Sequence, residues 1–105
     1  MHARVSTIEG SPDRVDEGTA LIRSKILPEL EHVDGFAGVL SLADRVTGRS
    51  LTITLWETED ALRASEERAN AMRSSAATDL GATADPSVER FEVTLSELRQ
   101  PAHAS

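Results

Sequence analysis

Four segments of the chain have the short apolar or alternating pattern of β-strands. They cover residues 3–9, 36–43, 50–56 and 88–95. The third is the clearest, because its odd positions from 51 to 55 are Leu, Ile and Leu, whereas its even positions from 52 to 56 are Thr, Thr and Trp. The glycine-bearing turn 44–48 predicts that the second and third segments form a β-hairpin.

Two further segments space their apolar residues near the 3.6-residue period of a helix. The first follows Ser11-Pro12-Asp13, a cap, a first-turn proline and an acid, and Pro28 should kink it before it ends near Gly35. The second is predicted to start at a Thr58 cap and to end around Leu80-Gly81. Its inward stripe consists mostly of small residues: Leu62, Ser65, Ala69, Met72 and Ala76.

The order β-α-β-β-α-β predicts an α+β fold of the ferredoxin-like kind, with a four-stranded antiparallel sheet and both helices on one face. We expect residues 1–98 to form one domain and 99–105 a flexible tail. The strands carry more apolar residues than two short helices can cover: Leu51, Ile53, Leu55, Phe91, Val93 and Leu95. A homodimer that pairs sheet on sheet is the simplest way to bury the second face.

Composition excludes several classes of partner. Eleven Lys and Arg against 18 Asp and Glu give a net charge of −7, which disfavours nucleic acid and an anionic membrane surface. The chain has no cysteine, no leader-like start and no apolar run long enough to cross a bilayer, so we expect a cytoplasmic protein.

Candidate catalytic residues are few. The histidines, at 2, 32 and 103, lack the spacing of a helical metal site, so we predict no metal. Acidic residues cluster between Glu57 and Glu67, a run that is more typical of a solvated helix face than of a site. Trp56 has two interpretations that the sequence leaves equally open: an indole that lines a cleft with its N–H free for a ligand, or a tryptophan that packs the edge of the core.

Short motifs across residues 3–97 resemble the antibiotic biosynthesis monooxygenase-like family of dimeric α+β barrels. They are Leu27-Pro28 with Gly35-Phe36-x-Gly38, and Thr54-Leu55-Trp56-Glu57-Thr58-Glu59-Asp60-Ala61-Leu62. The resemblance implies a homodimer with a small-molecule pocket between sheet and helices, and no cofactor. Members that degrade haem use an asparagine, a tryptophan and a histidine where Ser6, Ser65 and Ser74 stand here, so the resemblance implies no haem degradation.

Two functions remain open. The resemblance favours a cofactor-independent monooxygenase acting on a small aromatic, quinol or polyketide-like substrate, with Trp56, Ser6, Ser65 and Met72 as candidate substrate contacts. In such chemistry the ionised substrate reduces dioxygen, and the protein desolvates and orients it. The alternative is a non-catalytic dimeric module that binds a small ligand or is structural, because the family's pocket tyrosine and helix histidine are missing.

Overall fold

The computed structural model describes residues 1–79 and 86–99 and contains one four-stranded antiparallel sheet. The strands are β1 (His2–Glu9), β2 (Phe36–Ala43), β3 (Arg49–Trp56) and β4 (Ser87–Glu92), in the spatial order β2-β3-β1-β4. This is the predicted α+β, ferredoxin-like arrangement, in which the first and third strands occupy the centre. The fold class is therefore confirmed.

The first helical segment contains the irregularity that Pro28 predicts. A 3₁₀ turn (Pro12–Arg14) leads into α1 (Val15–Leu21), a π-helical turn (Ile22–Ile26) and α2 (Leu27–Leu30). In the π turn, the Leu27 N–H donates to the Ile22 carbonyl five residues earlier. Pro28 lies at the start of α2, where its missing N–H does least harm to the hydrogen-bond ladder.

Thr58 begins the second helical segment as expected, whereas the first segment ends at Leu30 and not near Gly35, which lies in the turn before β2. Gly35 has φ +81°, and a Cβ at that position would lie 2.4 Å from the Ala61 Cβ, so only glycine fits. The Thr58 hydroxyl accepts the Ala61 N–H at 3.1 Å. The second helix is interrupted at Ser65, which separates α3 (Glu59–Ala64) from α4 (Glu66–Asp79).

The end of the chain differs from the prediction. The fourth strand stops at Glu92 instead of continuing to residue 95, and the Leu95 and Leu98 side chains are 81% and 75% exposed. One backbone bond, from the Val93 N–H to the Met1 carbonyl, continues past the strand. The predicted helix end at Leu80-Gly81, the side chain of Ala76 and residues 100–105 of the predicted tail lie outside the described residues.

The alternation of the strands separates two faces of the sheet. On the helix-covered face, Trp56 is fully buried and forms a core cluster with Leu30 and Leu62. The opposite face carries the apolar positions, including Leu40, Leu42 and Phe91, which are 41–51% exposed. Within the described residues, no helix is long and apolar enough to cross a membrane.

Candidate functional site

A cavity lies between the helix-covered face of the sheet and the helices. Its volume is about 80 Å³. Because one water needs roughly 10–15 Å³, the cavity has room for several waters or a small organic molecule. The sheet forms the floor, and α1, the π turn, α2 and α4 form the roof.

The floor is a row of hydroxyl groups that the strand register brings together. Ser41 of β2 lies opposite Thr52 of β3, and Thr52 lies opposite Ser6 of β1. Ser50 and Thr54 flank Thr52 on the same face of β3. Hydroxyls both donate and accept hydrogen bonds, so this floor can bind the carbonyl or hydroxyl oxygens of a ligand.

The roof is mostly apolar. Its apolar residues from the first helical segment are Val15, Leu21, Ile22, Ile26 and Leu30, and α4 adds Ala69 and Met72. Thr19 also lines the roof, and its hydroxyl donates to the Val15 carbonyl at 3.2 Å. Apolar walls with a few convergent polar groups are typical of small-molecule sites, since burial of the ligand supplies affinity and the polar groups fix its orientation.

Arg4 brings a cation to the wall of this cavity. The residue is 2% exposed, and its Nη2 donates to the Leu62 carbonyl at 2.7 Å and to the Ser65 hydroxyl at 2.8 Å. Its guanidinium carbon lies 5.6 Å from the Trp56 ring centroid, within cation–π range. Its Nε is buried and has no hydrogen-bond partner among the described residues. Burial lowers the pKa of Arg4, although the nearby Glu66 carboxylate opposes that shift.

Glu66 supplies the negative charge that pairs with Arg4 and Arg90. It lies 3.4 Å from Arg4 Nη2 and accepts a two-pronged hydrogen bond from Arg90, with 2.8 Å between Arg90 Nη2 and Oε2. The hydrogen bonds from Arg90 and the charges of both arginines lower the pKa of Glu66 from 4.5 to about 2. Glu66 therefore stays ionised at neutral pH.

Arg73 adds a second cation to the cavity wall. It donates from Nη1 to the floor hydroxyl of Ser6 at 3.3 Å, and from Nη2 to the Asn70 side-chain oxygen. Both partners are neutral. Burial and the charge of Arg4 lower the pKa of Arg73, and Glu66 opposes that shift.

Of the four residues predicted to contact substrate, Ser6 and Met72 lie in the cavity wall, whereas Trp56 and Ser65 lie behind it. Of the two interpretations of Trp56, the structure supports the packing one, since the side chain is fully buried, Nε1 donates to the Thr54 hydroxyl at 3.0 Å and the ring packs edge-on against Phe36. The Ser65 hydroxyl accepts a hydrogen bond from Arg4 and donates one to the Leu62 carbonyl. Trp56 and Ser65 thus support residues of the wall, and their contact with a substrate stays a prediction.

The remaining candidate groups lie elsewhere. His2 faces Glu59 at 3.7 Å, His32 is exposed, and His103 lies outside the described residues. Among the side chains of residues 1–74 and 86–99, no group of three or more His, Asp or Glu could hold a metal ion.

Solved structures share this architecture. A monooxygenase from the ActVA-Orf6 gene of Streptomyces coelicolor, solved with the ligand nanaomycin D, superposes with a TM-score of 0.74 at 17% identity and covers 94% of this chain and 92% of its own. A Deinococcus radiodurans protein assigned as an antibiotic biosynthesis monooxygenase gives 0.68 at 17% identity over 96% and 100%. The chain has the antibiotic biosynthesis monooxygenase fold. The haem degrader MhuD of Mycobacterium tuberculosis, solved with two haems, shares this fold with a TM-score of 0.65 at 23% identity over 92% and 99%.

Two relatives by sequence are uncharacterized proteins of Mycobacterium tuberculosis. The uncharacterized proteins Rv2558 and Rv2557 of Mycobacterium tuberculosis are 39% and 37% identical over 103 and 93 residues. The match covers 98% and 89% of this chain, which spans only 43% and 41% of the length of those relatives. No family model matches the chain.

Sequence reasoning missed the charged part of the site. Arg4 sits in a strand segment whose pattern predicted only a sheet, and Glu66 belongs to the acidic run that is typical of a solvated face. The available signal was the parity of β1: Arg4 and Ser6 share a face, and two polar residues two apart in a central strand indicate a polar interior.

Proposed function

We propose that this protein is a cofactor-independent monooxygenase that acts on a small aromatic, quinol or polyketide-like substrate. The observation that carries the proposal is the cavity, which has a hydroxyl floor and an apolar roof in a chain with the antibiotic biosynthesis monooxygenase fold. The monooxygenase of Streptomyces coelicolor, solved with nanaomycin D, supports the choice of a ring-bearing substrate.

In the proposed reaction, dioxygen is the oxidant and the substrate supplies all the electrons. In an anthrone, the ring CH₂ conjugated with the ionised oxygen reacts with O₂ to give a ring C=O and water. In a hydroquinone, a ring C–H becomes C–OH while the ring is oxidised to the quinone. In both cases one oxygen atom enters the substrate, the other leaves as water, and the four electrons come from the substrate ring. The protein desolvates the ionised ring under the apolar roof and holds its oxygens on the hydroxyl row.

Oxygen-electrode measurements on a panel of hydroquinones and anthrones test this function. We expect uptake above the protein-free rate, and we expect Thr52→Val, which removes the central floor hydroxyl at nearly constant volume, to lower its rate by about two- to tenfold. Thr94→Val is the matched control, because Thr94 is exposed and lies outside the sheet. Uptake that is equal in both variants contradicts a role for the floor.

A second candidate, a non-catalytic module that binds a small ligand, has one observation in its favour. The part of the cavity wall formed by the described residues carries no carboxylate, imidazole or phenol that could act as a general base. Saturable binding of hydroquinones without any oxygen uptake supports this candidate and contradicts the oxygenase.

We also infer that two copies pair through the open face of the sheet. Leu40 and Leu42 lie opposite Ile53 and Leu51 across β2 and β3, and Phe91 lies opposite Ala3 across β4 and β1. These pairs make a continuous apolar band on the face away from the cavity, and a second copy of the chain presents a band of the same shape.

Sedimentation velocity tests this assembly. Leu42→Asp places a charge in the band and should convert dimer to monomer. Val46→Asp is the control, because Val46 is 86% exposed in the hairpin turn. A wild-type monomer at micromolar concentration, or two variants that behave alike, contradicts the pairing. The cytoplasmic location stays a prediction from composition.

A further inference from the structure

Among the described side chains, three arginines at or near the cavity lie around one carboxylate. Arg4, Arg73 and Arg90 interact with one another, and the ion pairs that the described residues give Arg4 and Arg90 end on the single carboxylate of Glu66. Within the part of the chain that the structure describes, Arg73 donates to two neutral oxygens, those of Ser6 and Asn70. The protein is strongly acidic as a whole, so this local cluster of positive charge, of which Arg4 is buried, is not a consequence of its composition.

Two features connect this cluster to the cavity. Arg4 and Arg73 both form part of its wall, beside the Ser6 hydroxyl. Arg4 is 2% exposed, so water screens its charge poorly. A buried cation is costly unless a negative charge lies close to it.

We propose that the cavity binds its ligand as an anion, a flat aromatic carboxylate or phenolate whose charged oxygen lies between Arg4 and Arg73 and whose ring lies under the apolar roof. This inference rests on the proposed function for the identity of the site and names the charge state of its substrate. It also explains how a cavity without a base in its described wall favours an ionised ring: two cations stabilise the phenolate, and solvent takes the proton.

Isothermal titration calorimetry with 2-naphthoate and its neutral analogue 2-naphthamide tests the charge preference without any turnover. The two probes have nearly the same shape, and neither is a hydroquinone or an anthrone. We expect naphthoate to bind the full chain at least tenfold more tightly than naphthamide at pH 7. Equal affinities, or tighter binding of the amide, overturn the proposal.

Two variants on the same helix locate the effect. Arg73→Gln should weaken naphthoate binding about tenfold and change naphthamide binding less than twofold, because only the anion loses a charged partner. Arg68→Gln removes the same charge from α4 at an exposed position outside the cavity wall, and naphthoate affinity should stay within about twofold. If both variants weaken naphthoate equally, net charge explains the binding and the site is refuted.

The buried arginine is tested by a conservative change. Arg4→Lys keeps one positive charge, and thermal melting checks whether the variant folds. If the folded variant binds naphthoate more weakly but naphthamide unchanged, the assignment of Arg4 is supported. If it binds naphthoate as well as the wild type does, that assignment is overturned. If it does not fold, the comparison of Arg73→Gln with Arg68→Gln decides whether the cavity binds an anion.

The failure of this inference is distinguishable from the failure of the oxygenase function. Preferential naphthoate binding without oxygen uptake on any hydroquinone overturns the oxygenase and leaves the anion site standing. Oxygen uptake without a preference for naphthoate overturns the anion site alone.

Discussion

Replacing Glu66 by glutamine should destabilise the protein more than an exposed charge would. Glu66 lies 3.4 Å from the Arg4 guanidinium, which is 2% exposed, and it also pairs with the half-exposed Arg90. Glutamine keeps the shape of the side chain and one acceptor oxygen but removes the negative charge. The buried cation then keeps its neutral hydrogen bonds and loses its counter-charge.

The geometry sets the size of the effect. Two unit charges 3.4 Å apart attract by about 5 kcal/mol at an effective dielectric constant of about 20. The desolvation of Glu66, which glutamine largely avoids, offsets part of this, and the Arg90 pair adds less than about 1 kcal/mol because it is exposed. We expect a loss of about 2–3 kcal/mol, or roughly 10–20 °C in Tm for a domain of this size.

The pH dependence provides an independent check. The pKa of Glu66 is lowered to about 2 in the folded protein, so its ionised form stabilises the fold above pH 4.5, and that stability is lost as the pH falls towards 2. Urea unfolding should show that the difference between wild type and Glu66→Gln is constant from pH 5 to 7 and shrinks between pH 4.5 and 2.

The matched control is Glu67→Gln, one residue further along α4 and exposed, which should change stability by less than about 0.5 kcal/mol. If the two variants lose the same stability, or if the difference between wild type and Glu66→Gln does not depend on pH below 4.5, then Glu66 does not stabilise the buried arginine and the electrostatic account of the site is wrong.

Three further outcomes follow from the packing. Gly35→Ala should lower stability by about 2 kcal/mol or more, because φ is +81° and the new Cβ meets the Ala61 Cβ at 2.4 Å; urea unfolding should show a far smaller loss for Gly38→Ala, whose Cβ makes an ordinary 3.6 Å contact. Leu62→Ala should lower the free energy of unfolding by about 2–5 kcal/mol, because Leu62 belongs to the buried core cluster, whereas Leu98→Ala should change it very little. Equal chemical-denaturation midpoints for the two variants would count against the cluster. Trp56→Phe should lower Tm, because it removes the hydrogen bond from the indole N–H to Thr54. Its naphthoate affinity should fall less than that of Arg73→Gln. A larger fall in Trp56→Phe would place Trp56 at the ligand.

The strands and helices are predicted by local patterns that can be read directly from the sequence. The alternation in 50–56 predicts β3 and the Thr58 cap predicts the start of α3, because each depends on residues within a turn or two of one another. Gly35 predicts a turn but not the end of α2, which lies at Leu30. Residues 93–95 continue the alternation of β4 beyond its observed end, since a local pattern does not say where the neighbouring strand stops supplying hydrogen bonds.

The chemistry of the cavity depends on contacts between residues far apart in sequence. Arg4 meets Leu62 and Ser65, which are 58 and 61 positions away, and Arg90 reaches Glu66 across 24 positions. No periodicity encodes such pairs. The sequence alone determined that a sheet with one polar and one apolar face would form. Only the tertiary structure decided that the helices cover the polar face, because burial of Trp56 with Leu30 and Leu62 fixes them there and leaves two arginines beside the hydroxyl row.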